Sequence, residues 1–333
     1  MLQIQRNIPL KNYTSFKIGG LADFFCEIYT KEDLGDCFHY VKNKKLPFFY
    51  LGNGSNLLVN DLGFRGIVLK LCNKKVAWQK NCSTAEVGIL LSELINSACA
   101  RGWGGLEWAY GIPATLGGAI RNNAGAFGSA MSDSVVAVEI FDIAKEKFFT
   151  LPNKKCKFSY HKSIFHQKPG WIIWQAILDW RKTNRETVHN KINSRLKERV
   201  DKQPLEYPSA GSFFRNPSIK NLKKAKKKLI IENFIKKELS KAKRGENLKE
   251  LAVKIKIRID SSNSLPAGYF IERAGLKGKR IGGAEISKKH ANFIVNTGKA
   301  KAEDIIILAS IVKQKVRQKF GVQLREEVEY VGF

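Results

Sequence analysis

Apolar residues recur along the chain at two different spacings, which alternate through its first half. Residues 31–44 have the spacing of an amphipathic helix, and they lie between two strand-like runs, 24–29 and 48–51. Further short apolar runs follow between glycine-rich turns. This pattern predicts mixed α/β structure, with helices too short and irregular for a regular doubly wound sheet. The other elements predicted here are strands at 57–59, 67–71, 135–141 and 172–178, and a helix at 90–101.

A charged helix predicted over 186–199 ends near Gln203 and Pro204, where the composition favours a domain boundary. A lysine-rich block, 218–260, follows, with apolar residues near helical spacing that predict one or two surface helices. Further on, Gly321 stands where a helix C-cap needs positive φ. The remaining predicted elements are a strand at 292–295, a helix at 302–320 and an alternating strand at 322–331.

Charge and cysteine content narrow the classes of function. The formal net charge is +28, and the block 218–260 holds 15 Lys and Arg against 5 Asp and Glu, so the excess is spread over the chain. Six cysteines stand far apart without a CxxC pair, and no HxH or HExxH occurs, so no metal site is predicted. The polar N-terminal segment lacks the apolar core of a signal peptide, and no apolar run could cross a bilayer. We therefore expect a cytoplasmic protein without membrane insertion.

The segment LGNGSNLLV, 51–59, takes an apolar strand directly into Gly-Asn-Gly-Ser-Asn. These residue types tolerate positive φ and can present successive backbone N–H groups to an anion such as a pyrophosphate. An ordinary tight turn between strands is an equally good interpretation of this segment alone. It is not the GxGxxG dinucleotide motif, because no helix follows the glycines.

The segment GIPATLGGAIRNNAGAFG, 111–128, contains more glycine than a turn requires. Close approach of the backbone to a flat ligand is a physical reason to remove so many side chains. A glycine-rich loop without a ligand is the alternative. Two such loops in one half of the chain favour a cofactor site.

Two further motifs carry candidate catalytic groups. In PSAGSFFRNP, 208–217, Ser212 lacks the neighbours of an acylating nucleophile, but a hydroxyl there could donate a proton to a carbanion formed by hydride addition. In LREEVEYVG, 324–332, strand alternation would place Glu327 and Glu329 on one face. A carboxylate turned inward on that face could act as an acid, whereas one turned outward would be solvated.

These segments together resemble the UDP-N-acetylenolpyruvoylglucosamine reductase (MurB) family. NYTSFKIGG at 12–20 and PAGYFIERAGLKGKRIGGAEIS at 266–287 complete the set, which follows the family's order over nearly the whole chain except 218–260. The resemblance implies an α+β protein. An FAD-binding domain of the vanillyl-alcohol-oxidase (PCMH) type, made of two α/β subdomains, would precede a C-terminal α+β substrate-binding domain. The expected limits are 1–65 with the final strand 322–333, then 66–203, then 204–321 with the lysine-rich insertion 218–260.

The resemblance also implies chemistry. NADPH would reduce FAD, and the hydride would pass to C3 of the enolpyruvyl group of a UDP-sugar, giving UDP-N-acetylmuramate for peptidoglycan synthesis and thus for cell shape and division. Ser212 matches the residue that protonates C2, and Glu327 matches the carboxylate that helps to stabilise the enol intermediate. The matching substrate contacts are Tyr160, Arg199, Asn216 and His290. The matching flavin-binding residues are Asn53, Gly54, Ser55, Asn56, Gly111, Ile112, Pro113, Thr115, Gly117, Gly118, Asn123, Ala124 and Gly125. The spacing after Tyr160 is similar to the shorter subtype, which lacks the extra substrate-covering loop, and we expect a monomer.

One departure from the family concerns catalysis. The family usually has Tyr-Arg-x-Ser where this chain has Tyr160-His161-Lys162-Ser163. That arginine would be a fixed cation against the enolate, and histidine lacks its permanent charge and its bidentate fork. Three hypotheses follow: His161 substitutes, Lys162 reaches the site, or the chain is a catalytically impaired flavin-binding homologue.

A second departure is the block 218–260, where the family has a short connection. For a nucleic-acid surface we would expect interleaved aromatic residues, and the block offers only Phe234. A surface excursion that leaves the fold intact is the favoured interpretation. An alcohol oxidase on the same flavin fold is a further rival function, but it would not require the Ser212 and Glu327 segments.

Overall fold

The computed structural model describes residues 3–242 and 246–333, which form two compact units. Unit 1 contains the described residues up to Leu205 together with Tyr330–Phe333, and unit 2 is Glu206–Glu329. Both units combine helices with sheets, as expected for the α+β class.

The first sheet of unit 1 has the strand order β1-β2-β5-β3. Strand β1 (Ile4–Pro9) is antiparallel to β2 (Leu21–Ile28), whereas β2 and β3 (Phe48–Leu51) are both parallel to the central β5 (Phe64–Leu71). Helix α1 (Lys31–Lys44) connects β2 to β3, as parallel strands require. The predicted helix 31–44 and strand 48–51 are thereby confirmed.

Helix α1 has well-defined ends and packs against both sheets of unit 1. Thr30 and Asp33 form a reciprocal capping box at its start. Phe38, on the buried face, makes edge-on contact with Phe48 of the first sheet and lies 5.7 Å, ring to ring, from Phe141 of the second. The apolar face of the helix at 31–44 therefore packs against both sheets.

The second sheet is antiparallel throughout, with the order β12-β11-β13-β7-β6. Its strands are β6 (Val76–Gln79), β7 (Cys82–Glu86), β11 (Val135–Asp142), β12 (Lys147–Pro152) and β13 (Trp171–Asp179). The apolar runs at 135–141 and 172–178 predicted its two central strands.

The smaller elements of unit 1 connect these sheets. Strand β5 runs across the expected boundary between residues 65 and 66, so the limits of the two FAD subdomains stay a prediction. The remaining elements are β4 (Leu57–Val59), α2 (Leu91–Cys99), β8 (Trp103–Gly104), α3 (Leu116–Arg121), β9 (Gly125–Ala126), β10 (Ser129–Ala130), β14 (Arg181–Lys182) and α4 (Arg185–Lys202), besides short 3₁₀ turns.

Unit 2 contains an antiparallel sheet of order β15-β18-β17-β16 and the helices α5 to α8. The lysine-rich block forms two helices, as the pattern predicts, and its residues 243–245 lie outside the described part. Gly321 ends α8 with φ +69, which confirms the predicted C-cap. The bounds are β15 (Ser209–Ser212), α5 (Lys224–Leu239), α6 (Leu248–Ser262), α7 (Ala267–Arg273), β16 (Arg280–Ile281), β17 (Ala284–Ile286), β18 (Phe293–Asn296) and α8 (Ala302–Phe320).

The predicted strand 322–331 is wrong over most of its length. Only β19 (Glu329–Val331) is a strand, and it pairs with β4 of unit 1. The preceding residues instead run beside the segment after β15, where Arg215 N–H donates to the Arg325 carbonyl at 3.0 Å and Phe214 forms an isolated bridge with Glu326. Simple alternation therefore does not decide which way Glu327 faces.

Candidate functional site

The two glycine-rich loops of unit 1 lie side by side. The side-chain amide of Asn53, in the first loop, donates a hydrogen bond to the backbone carbonyl of Pro113, in the second, at 2.7 Å. A Cβ atom added to Gly52 would lie 2.6 Å from the Thr115 hydroxyl. The loops are thus joined and packed so closely that a side chain at residue 52 does not fit.

The first loop is held by both its backbone shape and a buried lysine. Gly54 has φ +62, and a Cβ there would lie 2.0 Å from the Tyr13 carbonyl, so glycine is required. The Lys70 ammonium donates to the Gly52 carbonyl at 2.8 Å, and burial lowers the pKa of Lys70. Ser55 and Asn56 complete the turn before β4.

The second loop leads into the short helix α3. The Thr115 hydroxyl accepts the Gly118 N–H at 3.4 Å as the N-cap, and the Gly117 N–H donates to the Val87 carbonyl at 3.0 Å. A Cβ on Gly117 would lie 2.9 Å from the Val87 Cβ. The glycine therefore allows the loop to press against the neighbouring backbone.

Asn123, at the end of the second loop, connects two other segments to this loop by side-chain hydrogen bonds. Its side-chain oxygen accepts the Ser132 N–H at 2.9 Å, and its amide donates to the Ser159 carbonyl at 3.0 Å. The residue is buried and has φ +40, a conformation that asparagine tolerates better than most residues. Next to it, the Ala124 N–H donates to the Ala119 carbonyl and Gly125 begins β9.

The tight turn held by Asn123 carries the candidate residues Tyr160 and His161. Ser159 and Lys162 close the turn with two backbone hydrogen bonds, at 2.9 and 3.1 Å. Tyr160 is 58% exposed, and its ring lies edge-on to the His161 ring at 4.3 Å. His161 has φ +49, a left-handed conformation that histidine adopts more often than most non-glycine residues.

Arg199, on α4, packs against the second loop. Its Nε donates to the Tyr110 carbonyl at 3.0 Å, and a Cβ on Gly111 would lie 2.9 Å from the Arg199 Cδ. Burial lowers the pKa of its guanidinium, and within the described residues its buried Nη2 has no hydrogen-bond partner. A buried cationic donor without a partner calls for an acceptor from outside the protein. The expected substrate contact is thus placed with the expected flavin-binding residues.

In unit 2, Ser212 and Glu327 lie on adjacent segments. Ser212 ends β15 opposite Phe293 of β18, and the next residue, Phe213, donates its N–H to the Asn292 carbonyl at 2.7 Å. The Glu327 N–H donates to the Phe213 carbonyl at 2.8 Å. The backbone therefore brings the two candidate catalytic residues together although their residue numbers differ by 115.

Buried Asn292 holds this arrangement, and no motif in the sequence predicted that role. Its side chain accepts the Phe214 N–H at 3.1 Å and donates to the Phe214 carbonyl at 2.8 Å. His290 adjoins it, because the Asn292 N–H donates to the His290 Nδ1 at 3.2 Å. Burial lowers the pKa of His290, which favours its neutral form.

Two other polar side chains of this region already bind partners within the protein. The side-chain oxygen of Asn216 accepts the Ala267 N–H at 3.1 Å, at the start of α7. Glu326 forms an ion pair with Lys313.

The described residues contain neither a cluster suited to a metal ion nor a helix suited to crossing a membrane. No group of three or more His, Cys, Asp and Glu side chains among them could hold a metal ion. None of their helices is both long and apolar enough to span a membrane.

Comparisons with known proteins match both units. Residues 22–151 match the model of an FAD binding domain, and residues 203–331 match the model of the UDP-N-acetylenolpyruvoylglucosamine reductase C-terminal domain. A UDP-N-acetylenolpyruvoylglucosamine reductase of Caldanaerobacter subterraneus subsp. tengcongensis is 38% identical over 98% of this chain and 93% of the relative. That of Clostridium novyi is 36% identical over 99% and 92%.

A solved structure agrees with these relatives. The crystal structure of UDP-N-acetylenolpyruvylglucosamine reductase (MurB) from Thermus caldophilus has 30% sequence identity, a TM-score of 0.73, and coverage of 99% of this chain and 100% of that one. The matches confirm the predicted fold class, an FAD-binding domain followed by a C-terminal domain.

Proposed function

The chain belongs to the UDP-N-acetylenolpyruvoylglucosamine reductase family, and from this membership we propose that it uses NADPH and FAD to reduce UDP-N-acetylglucosamine enolpyruvate to UDP-N-acetylmuramate. It is an FAD-dependent oxidoreductase. The observation that carries the proposal is the similarity to reductases of this name over nearly the whole of both chains, which includes both units.

The geometry of unit 1 fits FAD. Gly52, Gly54 and Gly117 lack the side chains that would collide with neighbouring protein atoms, so the two joined loops are held close together in a fixed shape. The unpartnered Nη2 of Arg199 adds a buried donor beside the second loop. We propose that the loop residues 53–56, 111–118 and 123–125 hold the cofactor. We also propose that the Arg199 guanidinium donates a hydrogen bond to an acceptor atom of FAD, in addition to contacting the substrate.

The catalytic proposal concerns the residues of the chain. FAD, when bound, supplies the hydride that adds to C3 of the enolpyruvyl group. The Ser212 hydroxyl donates a proton to C2, which completes the reduction of the double bond. The Glu327 carboxylate, on the neighbouring segment, supports the enol intermediate. His161 supplies positive charge toward the enolate, and Tyr160, Asn216 and His290 contact the UDP-sugar.

The proposal extends to the setting of the enzyme. We propose a monomer in the cytoplasm that supplies a peptidoglycan precursor and so contributes to cell shape and division. The net charge of +28 supports this chemistry, because FAD, NADPH and a UDP-sugar are all anionic. The alternative is an impaired flavin-binding homologue, which the His161 departure and the lysine-rich block 218–260 favour.

A half-reaction experiment tests the function. The purified flavoprotein is reduced with NADPH without oxygen, and the enolpyruvyl UDP-sugar is then added while the oxidised flavin absorbance is followed. We expect rapid reoxidation with formation of UDP-N-acetylmuramate. Reduction without reoxidation would favour the impaired homologue, and protein that takes up no FAD would contradict the cofactor assignment as well.

Gly52→Ala tests the junction of the two loops. The new methyl group would lie 2.6 Å from the Thr115 hydroxyl, and relieving such overpacking typically costs about 1–3 kcal/mol. We therefore expect FAD affinity to fall about tenfold or more, measured by flavin titration of the apoprotein.

Gly35→Ala provides the matched control. Gly35 lies within α1, and no atom is within 4 Å of its added Cβ. This change should raise the free energy of unfolding by about 0.5–1 kcal/mol and leave FAD affinity unchanged. If the Gly52→Ala variant binds FAD as tightly as the wild type, close packing of the two loops is not needed for FAD binding.

A further inference from the structure

The lysine-rich helices α5 and α6 form a hairpin that is fastened to the rest of unit 2 along one side. Phe234 of α5 packs edge-on against Tyr269 of α7 at 5.1 Å, and Lys237 forms an ion pair with Glu272 at 2.7 Å. Ile255 and Ile259 of α6 are buried. The hairpin is therefore an ordered part of unit 2 with a defined inner face.

The opposite face of α6 is also apolar. Val253 and Ile257 are 57% and 63% exposed and lie one helical turn apart, on the side away from the buried Ile255 and Ile259. A solvated helix face ordinarily carries polar residues here, so this apolar stripe needs a separate explanation.

Basic side chains border the stripe. Lys249 and Lys256 flank it on one side and Lys254 on the other, with Arg258 next to Ile257 on the chain. Within the described part of the chain, Lys249, Lys256 and Arg258 form no ion pair, whereas Lys254 pairs with Glu250. The block 218–260 carries 15 basic against 5 acidic residues. The apolar stripe thus lies in a strongly positive surface.

We propose that the outer face of α6 docks on an anionic phospholipid bilayer. Val253 and Ile257 enter the headgroup region while Lys249, Lys256 and Arg258 contact lipid phosphates, which is how a basic amphipathic helix binds an interface. A second copy of the chain is disfavoured because the two faces would repel each other. A nucleic acid would use the lysines but not the apolar stripe, since it presents phosphates and not apolar chains to such a surface.

Vesicle binding tests the proposal. The flavin-loaded protein is sedimented with phosphatidylglycerol vesicles and, separately, with neutral phosphatidylcholine vesicles at moderate salt. We expect binding to the anionic vesicles at least about tenfold tighter than to the neutral ones, weakening as salt rises. Equal binding to both, or binding to neither, would overturn the proposal.

Two variants separate the apolar and the electrostatic contributions. The double variant Val253→Ser with Ile257→Ser removes the apolar stripe and keeps the positive charge. The double variant Lys249→Gln with Lys256→Gln removes two positive charges and keeps the apolar stripe. Each should weaken binding to anionic vesicles about tenfold. The control is Lys154→Gln with Lys155→Gln, an exposed lysine pair of unit 1 that makes the same change in net charge.

The competing partners give distinct outcomes. If the control pair weakens vesicle binding as much as Lys249→Gln with Lys256→Gln, the binding reflects total charge and the docking face is wrong. If the serine variant binds vesicles like wild type but Lys249→Gln with Lys256→Gln loses binding to a polyanion such as heparin, the surface serves a nucleic acid or an acidic protein. All variants should keep wild-type flavin content and NADPH turnover, which verifies that they fold.

Discussion

Ser212→Ala should lower the rate of flavin reoxidation by substrate by about 10²–10⁴-fold and leave reduction by NADPH unchanged. The proposed Ser212 proton goes to C2 only after hydride addition, so its loss should affect one half-reaction. Because Ser212 occupies the strand end that pairs with Phe293 through backbone atoms, alanine should preserve the local structure.

Stopped-flow measurement of both half-reactions checks this expectation. Ser209→Ala, three residues earlier in the same strand, is the matched control and should reoxidise at nearly the wild-type rate. In deuterated solvent the wild type should place deuterium at C2. A Ser212→Ala enzyme that reoxidises normally would show that another group donates this proton.

The second large effect is expected at His161. His161→Ala should slow reoxidation by about 10²–10³-fold, the usual cost of removing one group that stabilises developing negative charge. His161→Arg should restore the charge permanently. Because guanidinium carries a permanent charge and a bidentate fork, the arginine variant should reoxidise at least as fast as the wild type.

A neighbouring substitution separates the hypotheses for this turn. Lys162→Gln should have little effect if His161 supplies the charge, and a large effect if Lys162 reaches the substrate instead. A wild type that is slow at every pH, with strong activation by His161→Arg, would identify the chain as an impaired homologue.

The spacing of apolar residues predicted those helices and strands whose position is set mainly by the residues within them. The helices at 31–44 and 302–320 carry a complete apolar face and clear end signals, Thr30 with Asp33 in one case and Gly321 in the other. The helix α3 was missed because its residues, Leu116–Arg121, lie inside a glycine-rich segment that resembles a loop. Strand 322–331 failed because tertiary hydrogen bonds to the segment after β15 replace a regular ladder.

For the candidate site, motifs identified the loops but not what joins them. The Asn53–Pro113 bond, the Lys70 contact to Gly52 and the locking of Phe214 by Asn292 all connect residues far apart in the chain. Lysine and asparagine occur throughout the sequence, so nothing local distinguishes these three. The residue-level roles came from the family resemblance, and the structure adds the neighbours of each residue.

The return of β19 to unit 1 has a consequence for the order of synthesis. Val331 is buried in a core of unit 1 with Leu10, Phe25 and Val59, and its carbonyl accepts the Asn60 N–H at 2.9 Å. Because unit 2 is translated between residue 205 and β19, the ribosome must complete all of unit 2 before this core can close. Domains generally fold as they emerge, so unit 1 should wait, partly open, with β4 unpaired, until the last residues of β19 leave the exit tunnel.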